Sequence, residues 1–124
     1  MYSNQTMSGT EEFKLIIHRI PRNVKFQMSL EELKMFHRWL YAAAHIKPSG
    51  LGNVLLVIEL TKAYLKVNSI LAYQKQKNKF SLTAEMALAF HNMVKASPMS
   101  SDVYEYTVIS GIYHAIDRTF INAL

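Results

Sequence analysis

Two Phe-His dipeptides, Phe36-His37 and Phe90-His91, stand 54 residues apart, and each histidine follows a glutamate, Glu31 or Glu85, by six positions. Imidazoles and carboxylates repeated in this way could hold a metal ion or pass a proton between acid and base, and titratable pairs sometimes mark functional sites. A metal-dependent or small-ligand reading therefore rests on His37 and His91. A carboxylate-bridged di-iron centre in a helical bundle needs Glu-x-x-His on two helices. The residues three positions after Glu31, Glu32, Glu59, Glu85 and Glu105 are Lys34, Met35, Lys62, Leu88 and Val108, so that motif is missing. Histidine pairs one helical turn apart, the spacing of zinc-binding helices, are missing too. Four residues beyond His37, His91 and His114 stand Tyr41, Lys95 and Arg118. On a helical wheel His37 falls at the rim of an apolar face and His91 nearer the polar side. Histidines so placed ordinarily cover the core edge and keep one nitrogen in water. No cofactor is implied.

Other catalytic patterns fail in the same way. The chain has no cysteine, which removes disulfides, thiolate metal sites and cysteine nucleophiles. "SGLGN" (49–53), with Lys47 close by, places Gly-x-Gly before a helix, where an anion could bind. No strand precedes it and Leu55 stands where the third glycine of a dinucleotide fingerprint belongs, so it reads as an ordinary start of a helix. No nucleophile elbow occurs, since Ser110-Gly111 lies inside a helical stretch. His114 and Asp117 read as surface neighbours one turn apart.

Charge and apolar surface carry the remaining signals. There are 14 Lys and Arg against 9 Asp and Glu, a net charge of +5. The cations gather in two stretches without acids: Lys14, Arg19, Arg22 and Lys25 in residues 13–30, and Lys62, Lys66, Lys75, Lys77 and Lys79 in residues 60–84. Such patches neutralise phosphates, so Arg19, Arg22, Lys25, Lys62, Lys66, Lys75, Lys77 and Lys79 are candidate nucleic-acid contacts. No zinc finger, RNA-binding sheet motif or helix-turn-helix spacing accompanies them. Tyr104, Tyr106 and Tyr113, with seven methionines in the chain, suit an adaptable protein-binding surface.

The elements that must position these residues follow from a repeated phrase. Residues 25–43 laid over 79–97 agree at Lys25/Lys79, Phe26/Phe80, Glu31/Glu85, Phe36/Phe90, His37/His91 and Ala42/Ala96. This suggests an internal duplication. Each copy opens a helix. Ser29 is an N-cap with Glu32 completing a capping box, and Met28 is placed to staple onto Leu33. In the second copy Thr83 takes the cap position, and Met86 replaces the glutamate of the box. Apolar spacing predicts helices from Ser29 to about His45, from about Asn53 until it frays in "QKQKNK", from Thr83 to about Ala96, and from a cap at Ser101 or Asp102 to the end. The apolar run 53–73 is interrupted by Glu59, Lys62 and Lys66, which argues against a membrane span. Residues 10–20 read as a short extra helix, with a β-hairpin as the alternative, because Phe13, Leu15 and Ile17, and then Val24, Phe26 and Met28, alternate.

The expected fold is therefore all-α: an antiparallel four-helix bundle of two repeated helical hairpins, about 25–78 and 79–124, in one domain 10–124 behind a disordered tail 1–9. The expected function is a non-catalytic helical interaction or adaptor module, cytoplasmic and self-associating or bound to another protein. The alternative is a basic nucleic-acid-binding protein with a lysine-rich face. The His37/His91 small-ligand or metal reading stands third.

Overall fold

Polar and apolar residues alternate through "NVKFQMS" and, from Lys79 onward, through "KNKFSLT", and side chains of period two belong to strands, not helices. In the computed structural model, which describes residues 9–97 and 102–123, both stretches are extended. The order is α1 (Gly9–Arg19), β1 (Asn23–Ser29), α2 (Leu30–Ala44), α3 (Leu51–Leu71), β2 (Lys77–Thr83), α4 (Ala84–Ala96) and α5 (Val103–Ala123). β1 and β2 pair as a two-stranded antiparallel ribbon. The all-α four-helix bundle is thus overturned: the chain is mostly helical, but two helix pairs are joined by a sheet. Residues 77–79 belong to that sheet and not to a fraying helix end. Of the two expectations for the N-terminal segment, the helix holds for Gly9–Arg19, while Val24, Phe26 and Met28 lie in a strand whose partner comes from the far half of the chain. Residues 1–8 of the expected tail, and Ser101, lie outside the described residues.

The helix starts follow local chemistry. Ser29 Oγ accepts from the Glu32 amide at 3.1 Å and the Glu32 carboxylate accepts from the Ser29 amide at 2.9 Å, a complete capping box. Thr83 Oγ1 accepts from the Met86 amide at 3.2 Å, a cap without the return bond. Asp102 caps α5 by accepting from the Glu105 amide at 2.9 Å. α3 begins after Gly50 with no side-chain cap.

The order strand–helix–helix occurs twice, and the ribbon register gives the two occurrences a definite relation. Phe26 pairs with Phe80, its counterpart 54 residues on, with ring centroids 5.7 Å apart. Below them Phe36 meets Phe90, also 54 residues on, edge to face at 5.4 Å. Counterparts facing one another at two depths is the arrangement that a two-fold axis through the ribbon imposes. α2 packs on α3 and α4 on α5, while α3 also meets α4 and α5 meets α2. The core lies under the ribbon. Val24, Met28 and Leu82 from the strands are buried against Leu33, Phe36, Leu40, Leu60, Val67, Phe90, Ile109, Ile112 and Ile116. Fully burying each large apolar side chain is worth about 1.5–3 kcal/mol.

The second helices align at a different offset. Leu60, Ala63, Val67 and Tyr64 of α3 correspond to Ile109, Ile112, Ile116 and Tyr113 of α5, 49 positions on, and each residue of the first three pairs is buried. Among the described residues no helix is long and apolar enough to cross a membrane.

Candidate nucleic-acid interface

The inward face of the ribbon is apolar except at Asn78, and the outward face is polar along its whole length. Asn23, Lys25, Gln27 and Ser29 of β1 and Lys77 and Lys79 of β2 are exposed, with Ser81 and Thr83 half-buried. Ser29 and Thr83 are used as helix caps, which leaves Asn23, Lys25 and Gln27 facing Lys77, Lys79 and Ser81. Lys25 stands opposite Ser81 and Gln27 opposite Lys79, so Lys25 and Lys79 are diagonal neighbours across the strands. Neither strand contains a carboxylate. Arg22 precedes β1 and Lys75 precedes β2, which extends the positive field at opposite ends of the ribbon.

The ribbon is held rigidly from beneath and from its sides. Asn78, 3% exposed at an otherwise apolar inward position, donates to the Lys75 carbonyl at 2.9 Å and to the Met28 carbonyl at 3.4 Å. It ties the preceding turn to both strands. In that turn Gln74 adopts a left-handed conformation with φ 51°, its side chain donating to the Leu71 carbonyl at 2.9 Å. Lys66 of α3 donates its ammonium to the Ser81 carbonyl on the outer edge of β2. At the other end the Ala84 amide donates to the Arg22 carbonyl at 2.8 Å, which closes the strand pair. One flank of the ribbon is a groove between β1 and α5 lined by Lys25, Gln27, Glu32, Tyr104 and Thr107. The other is a cavity lined by Ser69, Ile70, Tyr73, Lys75, Lys77 and Lys79. Partial desolvation, with the Glu32 and Glu31 carboxylates nearby, raises the Tyr104 phenol above its ordinary value and keeps it neutral.

The candidate cations from the sequence separate into two groups. Lys25, Lys77 and Lys79 share the outward ribbon face, with Arg22 and Lys75 beside it; Lys75 Nζ lies 5.6 Å from the Tyr73 ring centre. Lys62 is paired with Glu59 on α3 at 3.1 Å, Lys66 is bound to the strand edge, and Arg19 sits exposed at the end of α1. Asn23, Gln27 and Ser81 were not singled out by composition or charge. Their signal is the strand alternation itself, which turns every second residue outward.

The other candidates are placed elsewhere. Each imidazole is engaged within its own half. His37 stacks on Tyr64 at 4.7 Å and its Nε2 bonds Asn68 Oδ1 at 3.0 Å. His91 stacks on Tyr113 at 4.1 Å and its Nε2 lies 3.4 Å from Asp117 Oδ1. In both cases the ring covers a tyrosine and reaches the residue four positions further along the same helix. Asp117 therefore faces His91, not its sequence neighbour His114. Among the described residues no cluster of three or more His, Asp or Glu could hold a metal ion. Tyr113 is taken up by this stack, Tyr104 lines the groove beside β1, and Tyr106 is exposed, so the three tyrosines are divided among different surroundings. No known protein family, curated protein or solved structure matches the chain.

Proposed function

We propose that the chain binds double-stranded DNA by laying its two-stranded ribbon in the major groove. The observation that carries this reading is the outward face itself: Asn23, Lys25, Gln27, Lys77, Lys79 and Ser81 on a rigid antiparallel pair without a carboxylate. A B-form major groove, about 12 Å wide, admits a two-stranded ribbon, and strands are one of the elements that DNA-binding proteins insert there. Lysine suits guanine O6 and N7 or a phosphate, asparagine and glutamine suit adenine N6 and N7, and serine suits either kind of base edge. Single strands are a poorer fit, because the outward strand positions carry no aromatic on which a base could stack, the exposed Tyr73 and Tyr104 standing on the flanks. Phe26 and Phe80 turn inward. Duplex RNA is poorer still, since its major groove is too deep and narrow to read.

The test is fluorescence anisotropy with a mixed-sequence DNA duplex and an RNA duplex of the same sequence. Tighter binding to DNA, weakening steeply with salt, supports the reading. Equal binding to both duplexes, or binding insensitive to salt, removes it.

Self-association is a second reading, favoured by α3. Leu51, Leu55, Ile58 and Leu65 are 86%, 66%, 43% and 56% exposed, and together with Lys62 they follow the four-three spacing of a coiled-coil seam. A second copy lying antiparallel would bring Leu55 against Leu65 and the Glu59–Lys62 pair against its own image. Light scattering at high salt tests it: a dimer that Leu55→Glu converts to monomer supports this seam, and a monomeric natural chain removes it.

A further inference from the structure

We infer that the ribbon reads a non-palindromic duplex in one fixed direction, with β1 selecting A·T pairs through Asn23 and Gln27 and β2 selecting G·C pairs through Lys77 and Lys79. The inference rests on the DNA-binding reading above and specifies its target. The register that sets Phe26 against Phe80 makes position 23 the counterpart of 77, 25 of 79 and 27 of 81. The two outward triplets are then Asn23-Lys25-Gln27 and Lys77-Lys79-Ser81, and only the middle lysine is common to both.

Two identical strands related by a two-fold would present the same triplet twice and demand a palindrome, because operator symmetry mirrors protein symmetry. Here one chain supplies both strands with different chemistry. Amide side chains pair bidentately with adenine, and lysine favours guanine. The flanks differ in the same sense. Beside β2 lie Tyr73 and Lys75, while the groove beside β1 contains Glu32, whose carboxylate repels phosphate. The β2 half therefore carries most of the attraction to the backbone, and the β1 half depends more on base contacts. The inward positions differ too: Asn78 pins β2 to its turn where β1 has buried Val24.

The test is selection from a pool of DNA duplexes with a random core of about ten base pairs, one helical turn. The natural chain is compared with N23K/Q27S, whose β1 presents the Lys-Lys-Ser triplet of β2. The natural chain is expected to enrich a non-palindromic site, adenine-rich in one half and guanine-rich in the other. N23K/Q27S is expected to enrich a palindrome with guanine in both halves and to bind the original site at least about five-fold more weakly, the lower end for losing a single bidentate base contact when two are removed. A palindromic site for the natural chain, or one site shared by both proteins, overturns the inference and leaves duplex binding intact. No duplex retained by the natural chain at low salt overturns the proposed function instead. Both substituted residues are exposed, so folding is expected to persist. Should the double variant melt early, the symmetry of the natural chain's own site decides the matter.

Discussion

On the proposed DNA-binding reading, single residues on the ribbon divide into those that attract and those that read. Lys79, exposed beside Gln27 and diagonal to Lys25, is placed to neutralise a phosphate or reach a guanine edge. Lys79→Ala is predicted to lower the slope of log K against log salt by about 1, measured by anisotropy across a salt series. Gln27→Ala removes no charge, so it is predicted to leave that slope unchanged while weakening the preferred duplex about five-fold or more relative to mixed sequence. A change of slope for Gln27→Ala would contradict its role as a reader. Lys66 illustrates where composition misleads. By charge alone it belongs with the basic patch, but its ammonium is bound to the Ser81 carbonyl and holds the outer edge of β2 to α3. Lys66→Met is predicted to destabilise the fold by about 1–2 kcal/mol in urea unfolding, the cost of leaving a partly buried carbonyl without its charged donor. Asn23 and Gln27 were invisible to a search for charge, because an uncharged amide on a strand is legible only once the strand is known.

At the scale of elements, what is local in the chain was legible and what is distant was not. The capping box at Ser29 and Glu32, the lone cap at Thr83 and the cap at Asp102 each involve residues three apart, and each forms as its sequence dictates. The strand pairing is not legible in the sequence because it joins β1 to β2 across two helices. The alternation of Val24, Phe26 and Met28 suggested a hairpin with the residues just before it, and a seven-residue apolar alternation gives no information on where its partner lies. The second helices were also out of reach, since their buried faces correspond at an offset of 49, not 54, and a single-offset comparison ends before them. The energetic weight of these elements is testable. Ser29→Ala is predicted to cost about 1 kcal/mol through loss of the cap. Phe36→Ala is predicted to cost about 3–5 kcal/mol, because the ring is fully buried against Phe80 and Phe90 where the two halves meet. Urea unfolding followed by circular dichroism measures both, and comparable losses would argue against a shared core under the ribbon.

For the whole molecule, the repeated phrase pointed to two similar halves but not to how they join. A bundle of two hairpins and a ribbon shared between two helix pairs use the same four helices; the difference lies in fourteen residues that pair as strands. That difference gathers Lys25, Lys77 and Lys79 on one surface and takes Lys62 and Lys66 away from it. The net charge of +5 alone would let any face of the protein attract a polyanion. The central claim is narrower: the outward face of the ribbon, and not the lysines of the helices, carries binding. The most direct measurement compares two triple variants of equal charge loss against one DNA duplex across a salt series. Lys25→Ala with Lys77→Ala and Lys79→Ala is predicted to reduce the salt slope by about 3 and to remove the preference for guanine, leaving only what Asn23 and Gln27 select. Lys34→Ala with Lys62→Ala and Lys95→Ala, all on helices, is predicted to leave the slope and the sequence preference unchanged and the affinity within about three-fold of the natural chain, because screening confines distant charges to a weak effect. Equal losses from the two variants would contradict the claim, since binding would then follow net charge alone.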